Sequence, residues 1–251
     1  MTSNYHTHTR WCRHGTGEIG DYAWYGARIG LSELAITEHV PLPGDPDLRR
    51  MRFAEFPAFD AELNGVIAEY KGKIKILKGF ECEYYPWLLE DYRKYKEEYG
   101  YGILMLGQHV NSERTLDNFR ATEPWQLAIY AAEICEGLES GVFDFLAHPD
   151  VVMFGYGKVD ESMLEAMDQI FKKCKKLDIP VEINASGFKY NRGHPNREIW
   201  KLAKGYGLSC IISADAHHVD ELSGEHIIKA EKFAADLGLK VLEKLPEGRK
   251  P

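Results

Sequence analysis

The chain has 251 residues, of which 44% are hydrophobic and 28% are charged, and its formal net charge is −8. This length suits one large α/β barrel or two small domains. The acidic balance disfavours a broad basic surface for nucleic acid, so any anion-binding site has to be local. No stretch reaches the roughly 18 apolar residues that cross a membrane, so we expect no membrane partner.

The chain has five cysteines and no CxxC pair. An odd number of cysteines at irregular spacing disfavours a disulfide framework and favours a reducing compartment. The N-terminal segment lacks the apolar region of a signal peptide. The sequence therefore predicts a cytoplasmic protein, and it leaves the oligomeric state open.

Short apolar runs alternate along the chain with longer amphipathic segments. The apolar runs predict seven strands, at residues 4–7, 34–37, 74–80, 103–107, 143–147, 181–184 and 209–213. The amphipathic segments predict helices at residues 18–29, 56–70, 88–98, 124–136, 161–177, 197–206 and 227–237. Strands that alternate with helices form parallel sheets with right-handed crossovers. We therefore expect residues 1–251 to form a single α/β domain.

A closed or nearly closed barrel is the preferred arrangement of these strands, and a doubly wound open sheet is the alternative. The segment at residues 41–57 is rich in proline and arginine. It predicts a long loop over one end of the barrel.

Histidines and acidic residues come at or just after the ends of the predicted strands: His6, His8, His39, Glu81, His109, His148, Asp215 and His217. A parallel barrel brings these ends to one face, where its active site lies. Two of the groups, His6 with His8 and Asp215 with His217, are spaced two apart, which points both side chains the same way. Imidazole and carboxylate are ligands of zinc, manganese or iron. Their number exceeds the needs of one ion and implies two or three.

The order of these motifs resembles that of the polymerase-and-histidinol-phosphatase (PHP) family. The matching segments are His6-Thr-His8, His14, Glu38-His39, Gly79-Phe-Glu81, His109, Ala147-His148-Pro149 and Asp215-Ala-His217. The resemblance spans almost the whole chain. It implies a distorted (β/α)7 TIM-like barrel whose active site lies at the C-terminal ends of the strands, with three divalent metal ions (Zn, Mn or Fe) as cofactors.

Carried over residue by residue, the resemblance implies three metal positions. The first ion would be held by His6, His8, Glu81 and Asp215, the second by Glu81, His109 and His148, and the third by His14, His39 and His217. Glu81 would bridge the first two ions, because it follows the pair Gly79-Phe80 as the family glutamate does. Glu83 is then expected beside the site or at the surface.

The segment at residues 184–199 resembles a loop of the histidinol-phosphatase branch of the family. In that branch an arginine ahead of a helix contacts the substrate phosphate, and Arg197 is the candidate here, because backbone N–H groups and a guanidinium together favour an anion. The branch often has a second phosphate arginine after the fifth strand, where this chain has none. Lys158, Arg192 or an arginine of residues 49–52 are the candidates for that role.

The resemblance implies hydrolysis of a small phosphorylated metabolite, namely L-histidinol phosphate in histidine biosynthesis. The hypothesis is attack by a hydroxide that bridges metal ions held by Glu81. Asp215, His217 or His194 would then protonate the leaving alkoxide. Two alternatives stay open. One is a PHP phosphoesterase that acts on a nucleotide or another small metabolite, and the other is a non-catalytic metal-binding PHP module.

Overall fold

A computed structural model describes residues 1–44 and 49–246 of the chain. Its strands lie in a single parallel sheet, in chain order. They are β1 (Ser3–Asn4), β2 (Glu33–His39), β3 (Lys75–Cys82), β4 (Ile103–Leu106), β5 (Phe145–Leu146), β6 (Val181–Asn184), β7 (Ser209–Ser213) and β8 (Lys240–Val241). Each strand pairs with the next one along the chain. This is the α/β architecture that the sequence predicts.

The two sides of the sheet meet where the chain leaves β1 and β7. Thr7 pairs in parallel with Ala216, and the N–H of His8 donates to the carbonyl of Ala216 at 2.8 Å. At the opposite end, the N–H of Leu245 donates to the hydroxyl of Tyr5 at 3.1 Å. The strands therefore curve round toward a barrel, as expected, and not into a doubly wound open sheet.

The prediction of seven strands misses β8. This strand has two exposed residues, so it carries no apolar run from which a sequence reading identifies a strand. The other seven strands were all predicted, with β6 and β7 at their observed bounds. Of the predicted loop at residues 41–57, residues 45–48 lie outside the described part of the chain.

The helices of the described residues follow the strands, and the long ones pack on the outer face of the sheet. They are α1 (Ile19–Arg28), α2 (Phe56–Glu69), α3 (Leu89–Tyr99), α4 (Pro124–Glu139), α5 (Met153–Tyr156), α6 (Glu161–Leu177), α7 (Ser186–Tyr190), α8 (Arg197–Tyr206) and α9 (Glu225–Leu237). The sequence did not predict α5 and α7, because one turn of helix is too short for an amphipathic period. In the described residues, no helix combines the length and apolarity needed to span a membrane.

Local capping sets the bounds of the helices that follow β5 and β6. The Asp160 carboxylate accepts from the N–H of Met163 at 3.1 Å and begins α6, and the Asn196 side chain accepts from the N–H of Glu198 at 3.0 Å and begins α8. A left-handed Gly207, with φ of 62°, ends α8. Such caps satisfy backbone groups that a helix end leaves unpaired, which is why both helices appear at their predicted bounds.

The strands present two apolar faces, as alternation along an extended chain requires. The outward face packs under the helices. The inward face forms a separate cluster inside the barrel that contains Tyr5, Ala35, Met105, Phe145 and Ile211. Further along each strand the inward side chains become small and then become possible metal ligands. On β3, for example, the inward positions are Leu77, then Gly79, then Glu81. The barrel core therefore ends where the candidate site begins.

Candidate metal centre

The predicted metal ligands lie at the ends of β2 and β3 or in the segments that follow β1, β4, β5 and β7. Because all strands are parallel, these positions share one end of the barrel. His6 and His8 are fully buried, and Glu81, His148 and Asp215 are at most 8% exposed. The other predicted ligands are half-buried or exposed toward solvent: His14, His39, His109 and His217. The structure thus brings all nine predicted ligands to one region.

Glu81 lies at the centre of this group, and its two oxygens face different histidines. Oε1 lies 2.8 Å from Nε2 of His148 and 3.2 Å from Nε2 of His109. Oε2 lies 3.1 Å from Nδ1 of His39 and 3.3 Å from Nε2 of His8. A carboxylate with ligand-type atoms on both oxygens has the arrangement that a bridging ligand requires.

Asp215 faces the same centre from the opposite side. Its Oδ1 lies 3.4 Å from Nε2 of His6 and 3.5 Å from Nε2 of His8. Its Oδ2 accepts from the hydroxyl of Ser186 at 2.9 Å and from the amide of Asn184 at 3.2 Å. The end of β6 and the start of α7 therefore hold one oxygen of Asp215 and leave the other directed at the histidines.

A further histidine pair lies nearer to solvent. Nε2 of His217 is 2.9 Å from Nε2 of His14, and the His217 ring stacks on His8 with centroids 4.4 Å apart. The His8 ring also stacks on His39 at 4.5 Å. These contacts connect the outer histidines to the buried ones in a continuous cluster.

The donor atoms of this cluster fit divalent metal ions. Nε2 of His6 and Nε2 of His8 are 3.0 Å apart, and two buried ring nitrogens at this distance need a proton or a cation between them. Burial, and then the charge of nearby His217, lowers the pKa of His8 to about 3. The His8 imidazole is therefore neutral at neutral pH, which is the form that binds metal. Sets such as His6, His8 and Glu81 place one donor atom each within 4.8 Å of the others.

The ionisation of Glu81 also suits a cation site. Burial by itself would raise the pKa of Glu81, but the neighbouring His109, His6 and His39 outweigh burial and hold that pKa well below its ordinary value. Burial likewise would lower the pKa of His109, but the charge of Glu81 outweighs it and raises the His109 pKa to about 10. Positive charge around Glu81 thus keeps the carboxylate ionised in a buried place.

The backbone is shaped to fit this cluster. His148 and Asp215 have positive φ values of 26° and 50°, in a region that residues other than glycine seldom adopt and that is often found at functional sites. Gly107 lies against Glu81, and a Cβ at Gly107 would lie 2.9 Å from Cγ of Glu81. Only glycine leaves room there for the Glu81 side chain.

Two carboxylates lie behind the candidate ligands. The sequence did not predict Glu182, which is fully buried, with Oε1 2.8 Å from Nδ1 of His6. Glu83 takes the first of its two expected places, beside the site: it is buried, with Oε1 3.1 Å from Nδ1 of His109. Arg50 donates two hydrogen bonds to Glu83, at 3.2 and 3.0 Å. An acidic residue between the apolar residues Val181 and Ile183 of β6 was the available signal for Glu182.

A cavity of about 460 Å³ opens over the cluster. Basic side chains line one part of it, and an apolar wall lines another, formed by Val110, Phe119, Val151 and Phe154. The Phe119 ring stacks on the His109 ring with an interplanar angle of 4°. The cavity therefore has histidines and carboxylates at its floor, and both basic and apolar side chains in its walls.

The predicted substrate residues divide into two groups. Arg192 and His194 line the cavity. Arg197 does not line it, and it is exposed on the first turn of α8. Lys158 is also outside the cavity lining, and its Nζ pairs with Asp160 at 2.9 Å. Arg197 and Lys158 therefore lie outside this cavity, because the loop before α8 brings Arg192 to it and leaves the start of the helix at the surface.

Tyr190 and Glu221 support Arg192 beside the cluster. The Arg192 guanidinium lies over the Tyr190 ring, 4.8 Å from its centroid. The Tyr190 hydroxyl donates to the Glu221 carboxylate, which also accepts from the N–H of His217 at 2.6 Å. Within the described residues, no carboxylate pairs with the Arg192 guanidinium, so its donors are available to an anion.

His194 differs from the other histidines in its surroundings. It lines the cavity and is 4% exposed, and neither ring nitrogen has a hydrogen-bond partner among the described residues. Burial lowers the pKa of His194 to about 3. A buried, unpaired polar group is costly, and this one is placed to contact a bound molecule.

The chain is similar to several known proteins. The family model described as PHP domain matches residues 4–186. The chain is 26% identical over 245 residues to a Deinococcus radiodurans protein named "Probable histidinol-phosphatase", covering 93% of this chain and 92% of that protein. It is 29% identical over 102 residues to the "Histidinol-phosphatase" of Bacillus subtilis, covering 38% of each.

A solved structure from Lactococcus lactis subsp. lactis has the same fold. That protein is described as a histidinol phosphate phosphatase complexed with zinc, L-histidinol and phosphate. The TM-score is 0.75 at 18% identity, and the match covers 96% of this chain and 95% of that one.

Proposed function

Because the chain belongs to the PHP domain family, we propose that it is a metal-dependent phosphate monoester hydrolase that converts L-histidinol phosphate and water to L-histidinol and phosphate. The observation that carries the proposal is the convergence of seven histidines, Glu81 and Asp215 beneath one cavity. The relative from Deinococcus radiodurans, similar over nearly its whole length and named as a histidinol-phosphatase, supports the choice of substrate.

The proposed metal centre holds three divalent ions. Its ligands are those of the family pattern: His6, His8, Glu81 and Asp215 for the first ion, Glu81, His109 and His148 for the second, and His14, His39 and His217 for the third. When bound, such ions supply electrophilic stabilisation of phosphate charge and acidify water. Imidazole and carboxylate donors suit zinc, manganese or iron, and the zinc in the Lactococcus lactis structure supports zinc among these.

Arg192 binds the substrate phosphate in this proposal. Its guanidinium is at the cavity wall with donors available, and the stack on Tyr190 fixes its plane. A planar guanidinium matches phosphate oxygens with two parallel hydrogen bonds. Glu221 accepts hydrogen bonds from both the Tyr190 hydroxyl and the backbone N–H of His217. These bonds hold Arg192 and its supporting tyrosine at a fixed distance from the metal ligands.

Another part of the cavity wall suits the carbon part of the substrate, which carries an ammonium group and an aromatic ring. Asp117 lines the cavity. Its Oδ1 accepts from the N–H of Phe119 at 3.0 Å, and its Oδ2 makes a long ion pair, 3.5 Å, with the exposed Arg120. Oδ2 is therefore the acceptor that an ammonium group can use. Phe119 and Phe154 beside it offer apolar surface to a ring.

His194 is the residue that we assign to the leaving oxygen. Of the three candidates, Asp215 has its oxygens directed at Ser186 and the buried histidines, and His217 lies against His14. His194 has both ring nitrogens unpaired at the cavity. Its neutral imidazole donates a hydrogen bond to the leaving oxygen, and it becomes able to transfer a proton when a phosphate dianion next to it raises its pKa.

We further propose that residues 1–251 act as one domain, a distorted (β/α)7-type barrel with the short β8 added and with its active site at the C-terminal ends of the strands. The proposed ligands come from segments spread between His6 and His217 that all belong to one sheet, which supports a single domain. The protein is proposed to act in the cytoplasm, where its five free cysteines stay reduced.

A substrate panel tests the proposal. Phosphate release by the protein loaded with zinc, manganese or iron is measured with L-histidinol phosphate, nucleoside monophosphates and sugar phosphates. The proposal predicts the highest kcat/KM for L-histidinol phosphate. A preference for a nucleotide would assign the alternative phosphoesterase activity, and release from none of these monoesters would leave a non-catalytic metal-binding module.

A further inference from the structure

Glu182 contacts two of the candidate metal ligands with its two separate oxygens. Oε1 lies 2.8 Å from Nδ1 of His6, and Oε2 accepts from the backbone N–H of His148 at 2.9 Å. Oε2 also accepts from the amide of Asn184 at 3.1 Å. These contacts lie under the cluster, on the side away from the cavity, and Glu182 is absent from the cavity lining.

The contact to His6 determines which of its ring nitrogens carries the proton. An ionised carboxylate only accepts hydrogen bonds, so Nδ1 of His6 must be the N–H that donates to Glu182. The lone pair of a neutral His6 ring is then on Nε2, which faces Oδ1 of Asp215 and Oε2 of Glu81, each at 3.4 Å. Glu182 thus directs the ligand nitrogen of His6 into the cluster.

The contact to His148 determines the position of a second ligand. The N–H that donates to Glu182 belongs to a residue with φ of 26°. From this backbone the His148 ring places Nε2 at 2.8 Å from Glu81. A hydrogen bond to a buried carboxylate offsets the cost of this unfavourable φ.

We propose that Glu182 is a positioning residue of the metal centre, which sets the tautomer of His6 and holds the backbone of His148. The proposal rests on the metal centre of the proposed function. Glu83 has the same relation to His109, at 3.1 Å from Nδ1, so the centre repeats one arrangement on two sides. Such outer carboxylates orient metal-binding histidines, and their loss reduces metal affinity by about 10- to 100-fold.

Glu182→Gln tests the proposal without a change of size. A glutamine has one carbonyl oxygen, which cannot accept from both His148 and His6. If its oxygen stays with His148, its NH₂ group faces Nδ1 of His6 and forces the proton onto Nε2. The matched control is Glu33→Gln, because Glu33 is a buried carboxylate at the other end of the barrel, bonded to the Tyr5 hydroxyl at 2.6 Å.

Two readouts are independent of catalysis. Titration with zinc alone is expected to show about 10- to 100-fold weaker binding in E182Q and unchanged binding in E33Q. ¹⁵N NMR of histidine-labelled, zinc-loaded wild-type protein, with His6 identified from a His6→Gln variant, is expected to show Nδ1–H at His6. Unchanged zinc affinity in a folded E182Q protein, or Nε2–H at His6 in the wild type, would overturn the proposal.

The NMR result does not require any Glu182 variant to fold, so the proposal stays testable if E182Q is unstable. Neither readout uses substrate. A protein that binds zinc as expected and hydrolyses no monoester would refute the proposed function and leave the role of Glu182 intact.

Discussion

The Nε2 atoms of His6 and His8 lie 3.0 Å apart, and both side chains are fully buried. The two residues are separated by one threonine just beyond β1, where extended geometry directs both rings into the barrel. Without a cation, the two lone pairs would repel each other or share one proton. The His6-Thr-His8 motif therefore places two nitrogen atoms where a metal ion would relieve their repulsion.

Removal of metal should destabilise the fold. Ions that bind only the native state stabilise it by RT ln(1 + [M]/Kd), about 2.7 kcal/mol at 100 times Kd. We expect chelation to lower Tm by several degrees and re-addition of zinc or manganese to restore it. Equal Tm values with and without metal would contradict a metal centre built from these residues.

Arg192→Ala should reduce kcat/KM by about 10- to 150-fold, because a charge-assisted contact to phosphate contributes about 1.5–3 kcal/mol. Arg197→Ala is the matched control, since Arg197 is exposed outside the cavity. Its kcat/KM should equal that of the wild type. The reverse pattern, with loss only in R197A, would restore the role that the family motif suggested for Arg197.

His194→Ala should affect substrates according to their leaving groups. Help with the leaving oxygen contributes about 10²- to 10⁴-fold for an alkoxide. An aryl phosphate with an acidic phenol needs little help. We expect H194A to slow hydrolysis of L-histidinol phosphate by at least about 100-fold and p-nitrophenyl phosphate by much less. Equal losses for both esters would remove His194 from this role.

Asp117→Asn should change substrate preference and leave the chemistry intact. If Asp117 binds the ammonium group, loss of its charge costs about 1.5–3 kcal/mol with L-histidinol phosphate. The desamino analogue of the substrate should show nearly equal kcat/KM with wild type and D117N. A uniform loss with both esters would indicate a structural effect on the loop that carries Phe119.

The buried pair of Arg50 and Glu83 predicts a specific acid dependence of stability. Burial alone would raise the pKa of Glu83, but the charge of Arg50 and the hydrogen bond from His109 lower it from 4.5 to about 2. A carboxyl whose pKa is lowered by folding stabilises the native state above its ordinary pKa, and this contribution is lost as pH falls through the folded value.

The test compares urea unfolding of metal-stripped wild type and Glu83→Gln. The wild type should lose more of its free energy of unfolding than E83Q between pH 4.5 and pH 2, where Glu83 takes up its proton. Between pH 4.5 and about pH 6, below the ordinary pKa of histidine, the difference between the two proteins should be constant. A difference that does not change across the acid range would show that Glu83 has an ordinary pKa.

The positions of the buried candidate ligands were predictable from the sequence, because those residues lie at or beside strand ends. Glu81 and His39 share the inward face of neighbouring strands. Because alternate residues of a strand point to the same face, the sequence pattern predicts which side chains lie there. Residues in the loop after β6 were less predictable. Arg197 and Arg192 are five positions apart in an irregular segment, and only the folded path decides which of them reaches the cavity.

Contacts between distant strands were also outside the reach of the sequence. Glu182 contacts His6, which lies 176 positions away in the sequence. The local pattern of apolar and polar residues does not predict a contact between residues so far apart. The same holds for β8, whose two exposed residues pair with β7 through contacts that its own composition does not reveal.

The most direct test of the account is phosphate release from L-histidinol phosphate by one protein sample in three states: loaded with divalent metal, stripped by a chelator, and reloaded. We predict release in the first state, loss in the second and recovery in the third, with the circular dichroism of a folded protein throughout. Absence of release from folded, metal-loaded protein would contradict the central claim.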